Sequence, residues 1–165
     1  MEGFLNMPTT LPPLVQLSTC ENDFETYLDE LYRIYLDEVV NAGITFRGLP
    51  LRVQFHPMSH GKGFGFKHLI SEGDVEEERT HDLQRCERIH WVAWIIRNAE
   101  TIPDILWWEN KRGYNTHVVL WLQGENFVVI LAKRKDYYLL RSAYVLKPHR
   151  AKAFEKEWKQ YWGKG

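Results

Sequence analysis

The residues of this chain best suited to chemistry are cations and hydroxyls gathered in three stretches. Lys67 and His68 are adjacent, just after a loop rich in Gly and His (His56 to Gly65). An imidazole exchanges protons near neutral pH, and a neighbouring ammonium steadies an anion. Arg79, His81, Arg85 and Arg88 follow within ten positions. On a helix, His81, Arg85 and Arg88 at i, i+4 and i+7 share one face. Cations this close repel one another unless an anion lies between them, and guanidinium forks fit phosphate oxygens bidentately. The competing account is ion pairing, either with Glu76–Glu78 or with an acidic helix nearer the N-terminus. The third stretch is Tyr137–Tyr144. Strand alternation predicts Tyr138, Leu140, Ser142 and Tyr144 on one face. Two phenols and an alcohol there can orient a phosphate or stack a base, whereas an ordinary half-buried strand would turn the same hydroxyls to backbone partners.

Two other motifs carry less. Gly61-Lys62-Gly63-Phe64-Gly65 lacks the Lys-Ser/Thr ending of a phosphate-binding loop and reads as a tight turn. His56, His60 and His68 match no metal-ligand spacing, and no cysteine pair accompanies them, so no metal is expected.

The elements that must position these groups are legible from periodicity. Residues 1–17, with Pro8, Pro12 and Pro13, read as an irregular arm. Ser18 and Glu21 form a candidate capping box. Phe24, Leu28, Leu31, Tyr35 and Val39 then predict an amphipathic helix ending near Asn41, with an acidic outer face. Ile44–Arg47 and Leu51–Phe55 predict a hairpin, and Phe66–Ile70 a short extended segment. A second helical stretch opens at Gly73-Asp74 and ends near Asn98. Four strands (Ile105–Lys111, Thr116–Gln123, Phe127–Arg134 and Tyr137–Leu146) follow on short turns and must pair antiparallel. Pro148 starts a last helix, with Ala151, Phe154, Trp158 and Tyr161 on one stripe. The expected fold is α+β: a curved antiparallel sheet of about four strands plus an N-terminal hairpin, packed by helices. Residues 1–42 are expected as an arm with the acidic helix, and residues 43–165 as the main domain.

Composition bounds the rest. The chain has 165 residues, 44% hydrophobic and 26% charged, which is enough for one domain with a core. No apolar run is longer than the six residues of Phe127–Ala132, too short to span a membrane, and MEGFLNMPTT has no secretory pattern. Cys20 and Cys86 cannot make a disulfide scaffold, so a cytoplasmic, reducing compartment is expected. The net charge of -1 conceals an asymmetry: residues 1–42 carry -7 and the remainder +6. Residues 128–165 alone hold ten Lys and Arg against three Asp and Glu, a back end able to attract phosphate. Those cations could equally do no more than solvate a helix.

Taken together, the hairpin, Gly-Phe-Lys67-His68, the pattern Leu-x-Arg85-x-x-Arg88-Ile-x-Trp and the closing Tyr-Tyr-Leu-Leu-x-Ser142-Ala-Tyr144 with its basic helix resemble the phage- and toxin-associated BECR (Barnase–EndoU–colicin–RelE-like) nucleases. The resemblance covers about residues 44–160. The family typically has Thr where this chain has Ser142, and the acidic helix lies outside its pattern. The resemblance implies a metal-independent, toxin-like endoribonuclease without cofactor, leaving a 2′,3′-cyclic phosphate and a 5′-OH. It implies RNA, tRNA included, as substrate, and an immunity or antitoxin protein as the class of partner, with no membrane. By the same resemblance His68 transfers the proton. Arg85 and Arg79, with Lys67 and Arg88, stabilise charge, Ser142 bonds a phosphate oxygen, and Tyr138 and Tyr144 contact substrate. His68→Ala and Arg85→Ala should then abolish cleavage and leave the unfolding midpoint nearly unchanged. The alternative is a non-catalytic domain binding nucleic acid or protein through the same basic face. A nucleotide-dependent transferase would need a late-strand glutamate, for which Glu109 and Glu125 are the nearest. The acidic helix could also fold over the basic face as a screen against RNA, or simply pack its apolar stripe on the sheet.

Overall fold

The computed structural model describes residues 10–163. Helix α1 (Phe24–Tyr35) starts at Asp23, whose side chain accepts from the Glu25 amide, and continues as a π-helical turn, Leu36–Val40. Ser18 and Glu21 do not form the expected box. They belong to a separate 3-10 turn and its exit, with Glu21 at φ 55°. The α1 stripe buries Tyr27, Leu31, Ile34 and Tyr35, and Val39 follows from the π-helical turn. These residues share one core with α4 (Ile89–Asn98) and one face of the main sheet, so the boundary expected at residue 42 divides no core. The arm is tied in as well. Val15 donates its amide to the Glu87 carbonyl at 2.8 Å, and Trp91 Nε1 donates to the Pro12 carbonyl at 2.8 Å. Residues 1–9 of the predicted arm lie outside the described residues.

The main sheet holds six strands in a curled half-barrel, ordered β1-β2-β8-β7-β6-β5. They are β1 (Thr45–Phe46), β2 (Leu49–Arg52), β5 (Ile105–Arg112), β6 (Asn115–Leu122), β7 (Phe127–Lys133) and β8 (Tyr138–Val145). The meander β5 to β8 is antiparallel, as predicted. The hairpin joins the same sheet, through a parallel pairing of Leu51 and Arg52 with Tyr138 and Leu139.

Two expectations fail between the hairpin and the meander. Phe66–Ile70 lies in a helix, α2 (Phe64–Ile70), rather than a strand. Gly65 permits it: its amide donates to the Gln54 carbonyl at 2.7 Å, and a Cβ there would sit 3.1 Å from that oxygen and from Tyr35 Oη. The helical stretch expected from Gly73 is instead a small two-stranded sheet, β3 (Ser71–Glu72) with β4 (Thr80–His81), and a 3-10 turn at Glu76–Glu78. Helix α3 (Leu83–Glu87) then begins at Asp82, which caps the Gln84 and Arg85 amides. The last helix, α5 (Ala151–Gly163), covers the other sheet face, packing Phe154 against Trp108 and Trp121. Among the described residues no helix is long and apolar enough to cross a membrane.

Candidate functional site

The end of α2 gathers four of the predicted side chains. A helix leaves its last carbonyls without intrahelical donors, and cations there are favourable. Arg85, arriving from α3, donates Nη1 to the Ser71 carbonyl at 2.6 Å and, more weakly, to the His68 carbonyl at 3.4 Å. Arg79 donates Nη2 to the same Ser71 oxygen at 2.5 Å, Nη1 to the Gly73 carbonyl at 2.7 Å and Nε to Ser71 Oγ at 3.0 Å. These two guanidiniums hold the turn, so the expectation that Arg85→Ala would spare stability is corrected. Neither pairs with α1. The helical stripe of cations dissolves because His81 lies in β4 and packs on Phe24. Arg88 also turns away. It sits at the break between α3 and α4, bonds the Gln84 carbonyl and lies over Trp91.

Glu76 gives the imidazole its orientation. Its carboxylate stands 2.7 Å from His68 Nε2 and 3.0 Å from Lys67 Nζ. Desolvation lowers the His68 pKa, against the opposing pull of Glu76. The hydrogen bonds from Lys67 and His68 lower that of Glu76, although its own desolvation acts upward. The consistent assignment is a neutral imidazole donating Nε2–H to an ionised carboxylate, which leaves Nδ1 as an acceptor. Phe64 stacks on the ring at 4.2 Å between centroids.

Arg85 joins this cluster to the sheet, its Cζ lying 5.8 Å from the centre of the Tyr144 ring. The predicted tyrosine stripe is broken by a register shift in β8. Ile130 pairs with Ser142 whereas Leu131 pairs with Leu140, so Arg141 is an extra residue. Tyr138 and Leu140 consequently face the α1–α4 core. Tyr138 is 2% exposed, its ring 5.1 Å from Phe46, and cannot touch substrate as expected. Ser142 and Tyr144 face the α5 side, in rows with Ile130 and Val128. Burial keeps the Tyr144 phenol above its ordinary value despite the nearby guanidiniums of Arg112, Arg150 and Arg85, so it stays protonated.

That side also carries residues that sequence reasoning missed. Asn110, Arg112 and His117 share the face of Ser142, Trp108 and Val119 by alternation and register. Among the described residues, Arg112, Arg134, Arg141 and Arg150 form no ion pair. The available signal was the alternation of β5 and β6 themselves, which sets Arg112 and His117 in phase with buried tryptophans. Because α1 packs on the opposite face, it cannot screen these cations. Among the described residues no group of three or more His, Cys, Asp or Glu is placed to hold a metal ion. No family model, curated protein or solved structure matches this chain.

Proposed function

We propose that this chain is a metal-independent endoribonuclease that cuts RNA by attack of the 2′-hydroxyl on the adjacent phosphate. RNA carries its own nucleophile, so the protein has to move protons and stabilise charge. His68 Nδ1 takes the 2′-OH proton, with Glu76 fixing the tautomer as an acceptor. The 2′-oxygen bonds to phosphorus, and the bond to the 5′-oxygen breaks. Arg85, with Arg112 and Arg150 close to Tyr144, stabilises the phosphorane, while Lys67 and Arg79 reinforce the positive field. The Ser142 hydroxyl and the protonated Tyr144 phenol donate hydrogen bonds to phosphate oxygens, and a proton from Tyr144 or from solvent completes the 5′-OH. One positioned acid–base group contributes typically 10²–10⁴-fold.

The observation that carries this reading is the place of Arg85, bonded to the backbone of the His68-bearing helix and set over the Tyr144 ring. Incubation of the purified protein with total RNA in EDTA tests it. The expected products are 2′,3′-cyclic phosphate and 5′-OH ends, lost in His68→Gln and reduced in Ser142→Ala and Tyr144→Phe. RNA left intact overturns it.

One observation favours a second reading. Arg79 and most of Arg85 are engaged with backbone carbonyls, which suits a domain that holds nucleic acid on its unpaired arginines without cutting it. Salt-sensitive retention of intact RNA would support that reading.

A further inference from the structure

We propose that the outer face of the sheet, beyond α5, holds a second phosphate subsite that grips the RNA backbone away from the scissile bond, built from Arg134 and Arg141 around His117. The proposal rests on the nuclease reading for the identity of its ligand, and its geometry stands on the sheet alone.

Register places the subsite. On this face, Val119, Ile130 and Ser142 form one cross-strand row, and His117, Ala132 and Leu139 form the next. The rows are two residues apart, about 7 Å along the strands, a step comparable to that between neighbouring phosphates in a stretched single strand. At its centre the second row carries only the methyl group of Ala132, 1% exposed beneath its neighbours, between His117 and Leu139. Arg134 follows at the end of β7, two positions beyond Ala132 on the same face. Arg141 is the extra residue of the β8 bulge, and bulges re-aim side chains. Neither arginine has a carboxylate partner among the described residues, and Arg141 is exposed. Arg112 lies on the same face, two positions beyond Asn110, the cross-strand partner of His117.

The electrostatics agree with an anion that belongs there. Burial lowers the His117 pKa, and the guanidiniums of Arg112 from β5, Arg141 from β8 and Arg134 from the turn after β7 lower it further. A phosphate among them would relieve that repulsion and raise the imidazole's proton affinity. Cations facing one another without partners are unfavourable in the free protein, and a polyanion converts that cost into affinity.

Length dependence separates this subsite from the catalytic one. Arg134→Gln and Arg141→Gln should cleave a dinucleotide as the wild type does, because a dinucleotide has no phosphate to reach them. Each should weaken binding of a 2′-O-methyl hexanucleotide, which resists cleavage, by about three- to tenfold at low salt, and lower the slope of log K against log salt by about 0.7. Nuclear magnetic resonance of His117 should show its titration moving to higher pH when the hexanucleotide is added. Wild-type affinity and salt slope in both variants, or an unmoved His117 titration, overturns the subsite even if RNA is cleaved. Reduced slopes with no cleavage of any RNA would retain the subsite and refute the nuclease reading.

Discussion

Replacing Arg85 tests how the turn after α2 is held, because the structure shows which acceptors its guanidinium satisfies. The side chain is 12% exposed, so solvent screens it little. Its main bond, Nη1 to the Ser71 carbonyl at 2.6 Å, has a charged donor, a kind worth about 1.5–3 kcal/mol. The bond to the His68 carbonyl at 3.4 Å and the loose ion pair of Nε with Asp82, also at 3.4 Å, add little. Arg85→Ala does not orphan the Ser71 carbonyl, which keeps Arg79 Nη2 at 2.5 Å. The expected loss is therefore about 2 kcal/mol, with a melting point lower by roughly 4–8 °C for a chain of this size. Arg79→Ala should cost at least as much, because its bonds to the Gly73 carbonyl and Ser71 Oγ go as well, although Arg85 still serves the Ser71 carbonyl. Removing both strips the Ser71 carbonyl of both guanidinium donors, so the double variant should lose about 1–2 kcal/mol more than the sum of the single changes. Urea and thermal melts of the four proteins measure this, and activity must be compared well below the lowest midpoint. Strict additivity, or an Arg85→Ala melt within about 1 °C of wild type, would refute the shared-acceptor argument.

Three further outcomes follow from the same geometry. Glu76→Gln keeps an acceptor for His68 but removes the charge that raises its pKa. The acid limb of the kcat/KM profile should move to lower pH, and an unmoved limb would show that His68 is not the base. Phe154→Ala should cost about 3–5 kcal/mol and loosen α5, read as a change in near-ultraviolet tryptophan dichroism. A melt close to wild type would mean that Phe154 does not anchor the helix on Trp108 and Trp121. His68, His81 and His117 all have folded pKa values below the ordinary one, chiefly through desolvation. The unfolded chain therefore binds protons first, and stability should begin to fall as pH drops through about 6.5, before carboxylates titrate. A melting point flat between about pH 7 and 5 contradicts this, and His117→Gln should reduce the slope.

What the sequence made legible is what local pattern determines. The α1 stripe, the antiparallel meander and α5 follow from periods of 3.6 and 2 residues over seven or more positions. The failures come from non-local causes. Helix α2 is seven residues long and holds a glycine, so its local signal favours an extended segment. Its packing beside β8 and the tight approach of Gly65 to Gln54 decide otherwise. The parallel pairing of β2 with β8 joins residues nearly ninety positions apart, and no spacing in the chain announces it. The bulge at Arg141 has the largest effect on the site. One extra residue inverts the facing of half a strand, sending Tyr138 to the core and Ser142 with Tyr144 to the opposite side. Lys67, His68, Arg79 and Arg85, picked out by residue type, meet at the end of α2, but Glu76, which orients His68, lies in a 3-10 turn where the sequence predicts a helix.

The charge asymmetry of the chain acquires a structural reason once the two sheet faces are separated. The acidic helix lies on one face, with its carboxylates answered locally: Asp29 by Lys62, Glu38 by His90, and Glu30 and Asp37 by Arg33. The arginines near Ser142, Tyr144 and His117 lie on the other face, where the sheet itself keeps those carboxylates out of reach. If ion pairing alone explained the basic residues, they would be expected beside the acidic ones, since exposed pairs cost little to form. Instead the fold divides its cations by task. Arg79 and Arg85 satisfy carbonyls at a helix end and so fix a turn, while Arg112, Arg134, Arg141 and Arg150 form no ion pair among the described residues and stand on the strands of the meander or just beyond their ends. Rigid placement of uncompensated charge suits recognition of a polyanion, because the repulsion is already present in the free protein and binding removes it.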